Sequence, residues 1–418
     1  MKLVELSIFE FDEFAKKHPL GNYRETSQYA MYKAEQKYDY DLIGLKDDNN
    51  NLIGASIILI KRLNFISQYA YAPRGFLLDY YDDNILRIFT ELVRKRYYMK
   101  NVAFIKINPE IAVGELDLKA KQIKYNKNLG IKDKLKRNGY TELIEELSFE
   151  SMVPKYSAIL LLKKATLSSY NKNTRNKIHK SLKNGLSLVK ATREQMPILY
   201  NFIKNKKKDN INHYYHYYNA FSKGDLIDIF LVKIDFAVCL ESIKRLYELE
   251  TEHNQELAEN LFKNNNSDNL KKKIDSDNIL NSYNNMLARI NQDLIQNQEL
   301  YIAGAVTIKY KDRINVIISG YDSNYKDLCS NYFLYYSMIE YYKKDYNFMD
   351  FNGISGNFND NNPYKGLDEF KLGFKPKVFE NIGEFDFVIN KGLYDNLNAN
   401  GILAEEFAKE IKSINQED

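Results

Sequence analysis

Apolar and polar residues alternate in blocks whose period changes along the chain, and each change marks an element. From Asn51 to Arg62 the apolar positions recur every second residue, with Ile53, Ala55, Ile57 and Leu59 on one face, which predicts a strand. Ser27 to Tyr38 and Ile85 to Met99 follow a helical rhythm instead, the second as an amphipathic helix. Val102 to Ile107 reads as a short buried strand. It ends at Asn108-Pro109, because a residue before proline is pushed out of helical geometry.

The first of these patterns returns later. Leu52-Ile-Gly-Ala55-Ser-Ile-Ile-Leu-Ile60-Lys61 resembles Tyr301-Ile-Ala-Gly-Ala305-Val-Thr-Ile-Lys309, each with Gly and Ala near its start and a lysine at its close. A further strand and then a helix follow each copy, Ile85 to Met99 in the first and Tyr332 to Lys343 in the second. Strand and helix in this order, twice, predict two related α/β units.

Between the units the texture changes. Leu240, Ile243, Tyr247, Leu257 and Leu261 keep a three-four spacing that Glu250 and Asn254 interrupt. After the polar stretch 264–269, Leu280, Tyr283, Leu287, Ile290 and Leu294 carry the same spacing back without a break. Two helices sharing an apolar seam, with polar outer faces, predict an antiparallel coiled-coil hairpin. At a rise of about 1.5 Å per residue it would project roughly 30 to 40 Å.

Composition narrows the class. A chain of 418 residues, 44% hydrophobic and 28% charged, is expected to form at least two soluble globular domains. The stretch from Met1 to Glu13 carries acids among its apolar residues and does not read as a secretory signal. Runs such as 57–60 and 158–162 fall far short of a membrane span. A cytoplasmic protein is expected, with contact at the inner membrane face left open. Cys239 and Cys329 read as reduced buried thiols. The net charge of +4 permits an RNA partner without requiring one.

Several chemistries are excluded by what the motifs omit. The five histidines form no metal-binding pattern, and neither a Gly-x-Ser-x-Gly elbow nor a phosphate-binding Walker loop occurs. The strand-helix units look like the acetyltransferase (GNAT) fold, yet neither copy has the Gly-rich loop that would hold the pyrophosphate of coenzyme A. No metal and no cofactor is expected.

The candidates that remain are cationic tips and polar turns. Pro73-Arg74-Gly75 puts a guanidinium at the mouth of a strand, where it serves either a carboxylate or phosphate or a plain surface turn. Lys33 lies about two turns into a helix capped by Thr26 or Ser27. Lys371, between Phe370 and Phe374, follows the long polar loop 353–366 and is placed to meet a phosphate or oxyanion, or to run along its helix surface. His213-Tyr-Tyr-His-Tyr217-Tyr218 offers rings to a base or sugar, or packs as a helix edge. Lys172, Arg175, Lys177, Lys180 and Lys183 recur at helical spacing, as a phosphate-binding face or a solvated one.

Read in order, these motifs resemble the Fem family of aminoacyltransferases, which form peptidoglycan bridges. The resemblance rests on Glu25-Thr-Ser-Gln28, Ala72-Pro-Arg-Gly75, Leu78-Asp-Tyr80, Lys106-Ile-Asn-Pro-Glu110, Thr174-Arg-Asn176, Asn331-Tyr332, Phe351-Asn-Gly-Ile-Ser-Gly-Asn-Phe358, Phe370-Lys-Leu-Gly-Phe374 and Ile382-Gly-Glu-Phe-Asp386. It implies an α/β (α+β) fold: two tandem GNAT-like domains with the coiled-coil arm inserted in the second. The implied boundaries are 1–150 for the first domain, 151–239 and 299–385 for the second, 240–298 for the arm, and 386–418 for a C-terminal helix packing back on the first domain.

The resemblance also implies an activity. An amino acid (glycine, alanine or serine) would pass from aminoacyl-tRNA, as co-substrate, to the stem-peptide side-chain amine of a precursor, either lipid II or UDP-MurNAc-pentapeptide. Lys33, Arg74, Tyr217, Tyr218, Ser319 and Phe370 would bind substrate, Lys371 and Asn108 would be catalytic, and Lys172, Arg175, Lys177 and Lys180 would meet tRNA. Two positions depart from the family pattern. Asn108 stands where the family has aspartate, and an amide cannot accept a proton at neutral pH. Ser319 stands where some relatives have tyrosine. The alternatives are a coenzyme A-dependent GNAT N-acyltransferase, or a relative that binds tRNA or precursor and has lost the chemistry.

Overall fold

The computed structural model describes residues 1–143, 151–204, 210–296, 299–357, 359 and 361–415. Phe358, the expected boundaries at 150 and 298, and residues 416–418 lie outside the described residues. Within them the fold is α/β, with strands β1 to β16 in chain order forming two sheets. The first sheet runs β1 (Lys2–Glu5), β2 (Asp39–Lys46), β3 (Leu52–Arg62), β4 (Gln68–Ala72), β5 (Val102–Ile107), β16 (Phe385–Val388), β8 (Tyr140–Glu142). The second runs β10 (Leu186–Ala191), β11 (Ile227–Ile234), β12 (Leu300–Tyr310), β13 (Arg313–Tyr321), β14 (Phe348–Ile354), β9 (Tyr156–Leu161), β15 (Lys377–Asn381), β6 (Ala112–Asp117), β7 (Gln122–Tyr125).

The repeat read in the sequence is a repeat of topology. β3 pairs antiparallel with β4, which pairs parallel with β5 across the helix Asp83–Tyr98. β12 pairs antiparallel with β13, which pairs parallel with β14 across the helix Ser330–Tyr342. β3 is buried on both faces: Ala55, Ile57 and Leu59 enter one apolar cluster, Ile58 and Ile60 another. Burial on both sides is why Ile58 and Ile60 are apolar as well.

The units exchange strands, which sequence boundaries at 150 and 385 do not anticipate. β6 and β7 join the second sheet through β15, and β16 returns to the first beside β5. The helices Lys391–Ala399 and Ile402–Asn415 follow, and Phe407 packs on Tyr69 and Phe104 of the first sheet.

Between β11 and β12 rises the hairpin of helices Phe236–Lys263 and Ser267–Gln296. The residues that break its apolar rhythm form a polar layer. Ser276 donates to Glu250 at 2.5 Å, and Asn254 donates to Ser276 at 3.0 Å and Asp277 at 2.9 Å. A polar contact at one level of an apolar seam fixes the register of two helices. Among the described residues no helix is long and apolar enough to cross a membrane.

Candidate functional site

The first cavity begins at a turn that two distant motifs build together. The Glu25 carboxylate is buried against β3, accepting from Ile57 N–H at 3.1 Å and Ser56 at 3.4 Å, and burial pushes its pKa well above the usual carboxylate range. Gly75 lies against it. A Cβ there would stand 2.2 Å from Glu25 Oε1, so a larger residue would have to displace that buried carboxylate. The preceding residue, Arg74, takes a left-handed φ of 58°, and its N–H donates to Asn108 Oδ1 at 2.8 Å. Next to Glu25, Thr26 caps the helix Ser27–Ala34 by accepting from Tyr29 N–H at 3.2 Å.

Arg74 is only 7% exposed, and its guanidinium makes no hydrogen bond or ion pair among the described residues. It lines a cavity of about 70 Å³ together with Arg24, Lys33, Tyr217 and Asp350. Arg24 donates through Nε to Tyr23 at 3.0 Å and lies over its ring; the rest of its fork has no hydrogen bond or ion pair among the described residues. Burial lowers the pKa of Arg74, and Arg24 beside it lowers it further. Two guanidiniums held this way suit a carboxylate or phosphate.

Aromatic rings form the opposite wall. Tyr217 packs on Tyr32 at 3.9 Å between centroids, and Tyr32 OH lies 3.1 Å from His213 Nε2. Lys33 donates to Gln36 at 2.9 Å and lies 4.9 Å from the Tyr38 ring centre. Tyr218 is half-buried against the neighbouring apolar cluster and does not line the cavity. Counter-charges lie at this cavity, in Asp350, and behind it, in Glu110 and Arg313. Burial works against the charge of Glu110, but Arg313 and Arg74 hold its pKa down to about 2. Burial raises the pKa of Asp350, against the pull of Arg313.

β13 links this cavity to a second. Its residues 315–318 line the first; Ser319, Gly320 and Tyr321 line the second, of about 560 Å³. The helix Lys365–Gly373 brings Phe370 and Lys371 to the second cavity. Gly373 lets this helix sit against the basic helix Lys172–Leu182, since a Cβ there would meet Thr174 Oγ1 at 2.1 Å. Phe370 stands edge-on to Tyr332 and Tyr335, each at 4.9 Å, and Ser319 Oγ lies 3.1 Å from Tyr335 OH. Lys371 is 2% exposed and donates to the Gly353 carbonyl at 2.7 Å.

The expected site residues therefore divide. Lys33, Arg74 and Tyr217 share the first cavity, and Ser319, Phe370 and Lys371 share the second. Asn108 lines neither; its amide donates to Tyr71 and Glu384, each at 3.0 Å, and its carbonyl holds the Arg74 turn. On the basic helix, Lys177 donates to Tyr332 OH at 3.2 Å, and Tyr332 packs on Phe370 of the second cavity. Arg175 donates to the Ser168 carbonyl at 2.9 Å, Lys172 is exposed and Lys180 half-buried. Arg24 and Asp350 are not among the site residues expected from the sequence. Their one signal was adjacency, Arg24 directly before Glu25-Thr26-Ser27 and Asp350 directly before Phe351. Among the described residues no cluster of His, Cys, Asp and Glu is placed to hold a metal.

Comparison with known proteins places this arrangement. The model of the FemAB family matches residues 6–400. A lipid II:glycine glycyltransferase of Staphylococcus epidermidis is 23% identical over 406 residues, 94% of each chain. The enzyme of that name from Staphylococcus saprophyticus is 25% identical over 397 residues, 92% of each chain. The crystal structure of FemX superposes with a TM-score of 0.73 at 20% identity, over 95% of this chain and 100% of that one, and so shares the fold.

Proposed function

The chain belongs to the FemAB family, and from that premise we propose that it is an aminoacyltransferase that builds the interpeptide bridge of peptidoglycan. The donor is aminoacyl-tRNA and the acceptor the stem-peptide side-chain amine of a precursor. The names of its relatives favour glycine as the residue moved and lipid II as the acceptor.

One observation carries this assignment: two cavities of different chemistry are lined by consecutive residues of a single strand, β13. The first presents Arg24, Arg74 and Lys33 and suits an anionic group of the precursor, a phosphate or a carboxylate. The second is roomier, walled by rings, and has Lys371 at its base. It suits the aminoacyl-adenosine end of a tRNA, whose base can stack on aromatic side chains.

In this scheme the acceptor amine attacks the ester carbonyl carbon at the junction. The new C–N bond forms, the ester C–O bond breaks, and the ribose hydroxyl leaves with a proton while the amine gives one up. The Lys371 ammonium stabilises the oxyanion of the tetrahedral intermediate. Asp350, a half-buried carboxylate in the first cavity, accepts the amine proton in place of the aspartate that Asn108 replaces. Because the ester is already activated, positioning supplies much of the rate.

The test is transfer in vitro from glycyl-, alanyl- and seryl-tRNA to lipid II, read by mass spectrometry of the stem peptide. One added residue on the side-chain amine is the expected product. No transfer from any of the three, with acyl transfer from acetyl-coenzyme A instead, would overturn the assignment.

A further inference from the structure

Two adjoining turns at one end of the first sheet expose large apolar side chains. Phe65 and Ile66, in the turn from β3 to β4, are 102% and 72% exposed. Tyr98 and Met99, where the helix Asp83–Tyr98 turns into β5, are 55% and 80% exposed. β4 and β5 are parallel with Gln68 opposite Val102, and the Gln68 side chain donates to the Lys100 carbonyl, so the two turns lie side by side.

The first turn satisfies its own backbone. Leu63 N–H donates to the Ser67 carbonyl at 3.1 Å, and Asn64 Oδ1 accepts from Ile66 N–H at 3.0 Å and Ser67 N–H at 2.9 Å. Those N–H groups carry their partners with them into apolar surroundings, which removes most of the cost of leaving water. Cations rim the patch. Arg62 and Lys95 have no ion pair among the described residues, and Arg96 and Lys100 share the acids Glu5 and Asp41. Lys37 and Asp39, at the start of β2, offset one another.

The patch also lies toward one end of the first cavity. The Tyr38 ring takes Lys33 on one approach, at 4.9 Å, and Lys61 on another, at 5.0 Å; Lys61 directly precedes the turn residues 62–67.

We propose that the Phe65–Ile66 turn, with Tyr98 and Met99 beside it, is a membrane-contact surface that rests the protein on an anionic bilayer with the Lys33 end of the first cavity toward the headgroups. Apolar tips entering the headgroup boundary inside a basic rim are the usual design of a peripheral contact. A second copy of the chain fits less well. Four side chains on two turns cannot bury the roughly 800 Å² per partner that a stable pair requires. The orientation toward lipid rests on the lipid-linked acceptor proposed above, whereas the contact itself does not.

The test is sedimentation of the full chain with vesicles of phosphatidylcholine alone or with phosphatidylglycerol added. The wild type is expected to bind the anionic vesicles, less so in high salt. The double variant Phe65→Ser, Ile66→Ser should bind them roughly tenfold or more weakly. It should also transfer more slowly to a lipid-linked acceptor in vesicles, and at the wild-type rate to a soluble, lipid-free one. A wild type that ignores vesicles, or a variant that binds them equally, overturns the proposal. So does self-association of the wild type that the variant abolishes, because a second copy would then cover the patch. Vesicle binding lost in the variant, with no transfer to any acceptor by either protein, upholds the contact and removes the transferase assignment alone.

Discussion

The two cavities share a strand and little else. The first is a cage of opposed charges: Arg24 and Arg74 face it, and Glu110, Arg313 and Asp350 brace it from below. The second is eight times as large by volume, ringed by Tyr321, Tyr335, Tyr364 and Phe370, and among the described residues that line it has one cation, Lys371, which donates to a backbone carbonyl. Charge recognition without room suits the grip of one anionic group. Room with rings and a single buried ammonium suits a bulky donor and the charge that develops during its reaction. The contrast predicts that substitutions of the cations in the first cavity change binding of the acceptor, and substitution of Lys371 in the second changes turnover.

The largest effect is expected at Lys371. Lys371→Met keeps the length of the stem and removes the charge, so kcat should fall about 10²- to 10³-fold with the acceptor KM nearly unchanged. Steady-state kinetics with varied precursor, alongside thermal melting to confirm the fold, separates the two parameters. A large rise in acceptor KM at near wild-type kcat would erase the distinction between the cavities.

Arg24 tests the opposite side. Arg24→Met should raise the precursor KM about 10- to 100-fold, the range of a charge-assisted hydrogen bond worth roughly 1.5–3 kcal/mol. The tRNA KM and kcat should stay near wild type. Equal rises in both KM values would mean that the two substrates are not divided between the cavities.

The fold was largely legible because its evidence is local. Alternation marked β3, and its echo marked β12, since a strand buried on both faces writes itself into consecutive residues. The site was legible only in part because it is made by closure. Glu110 meets Arg313 across 203 positions and Lys106 meets Asp386 at 2.9 Å across 280, contacts that no window of sequence contains. Tyr217 and Tyr218 show the limit at short range. Neighbours on a helix point about 100° apart, so only one of the two reaches the cavity. Asn108 shows a third limit: the sequence marks it as a departure from aspartate, and only the fold reveals that its amide is engaged in holding the Arg74 turn.

The bracing of the first cavity makes stability depend on pH. Glu110 is held down to about 2 from an ordinary 4.5, so the folded chain binds this proton less readily than the unfolded one. Its contribution is complete above 4.5 and is lost as pH falls through about 2. Glu110→Gln should therefore lower the urea midpoint at neutral pH, and the gap to wild type should close through the acid range.

The smallest effect is expected where the second cavity keeps a neutral hydrogen bond. Ser319 Oγ lies 3.1 Å from Tyr335 OH, at the point where β13 passes from one cavity to the other. Ser319→Ala removes that bond and leaves the Tyr335 hydroxyl facing a cavity with room for water, so the loss should be about 1 kcal/mol, less than tenfold in kcat/KM. Tyr335→Phe removes the same bond from the other side. If the bond only orients the ring, the two variants should match and their combination should cost no more than either alone. If Ser319 touches substrate itself, Ser319→Ala should cost more than Tyr335→Phe, with the excess appearing in the donor term rather than the acceptor term. The ratio of the two losses thus measures how far the donor cavity extends toward the acceptor along β13.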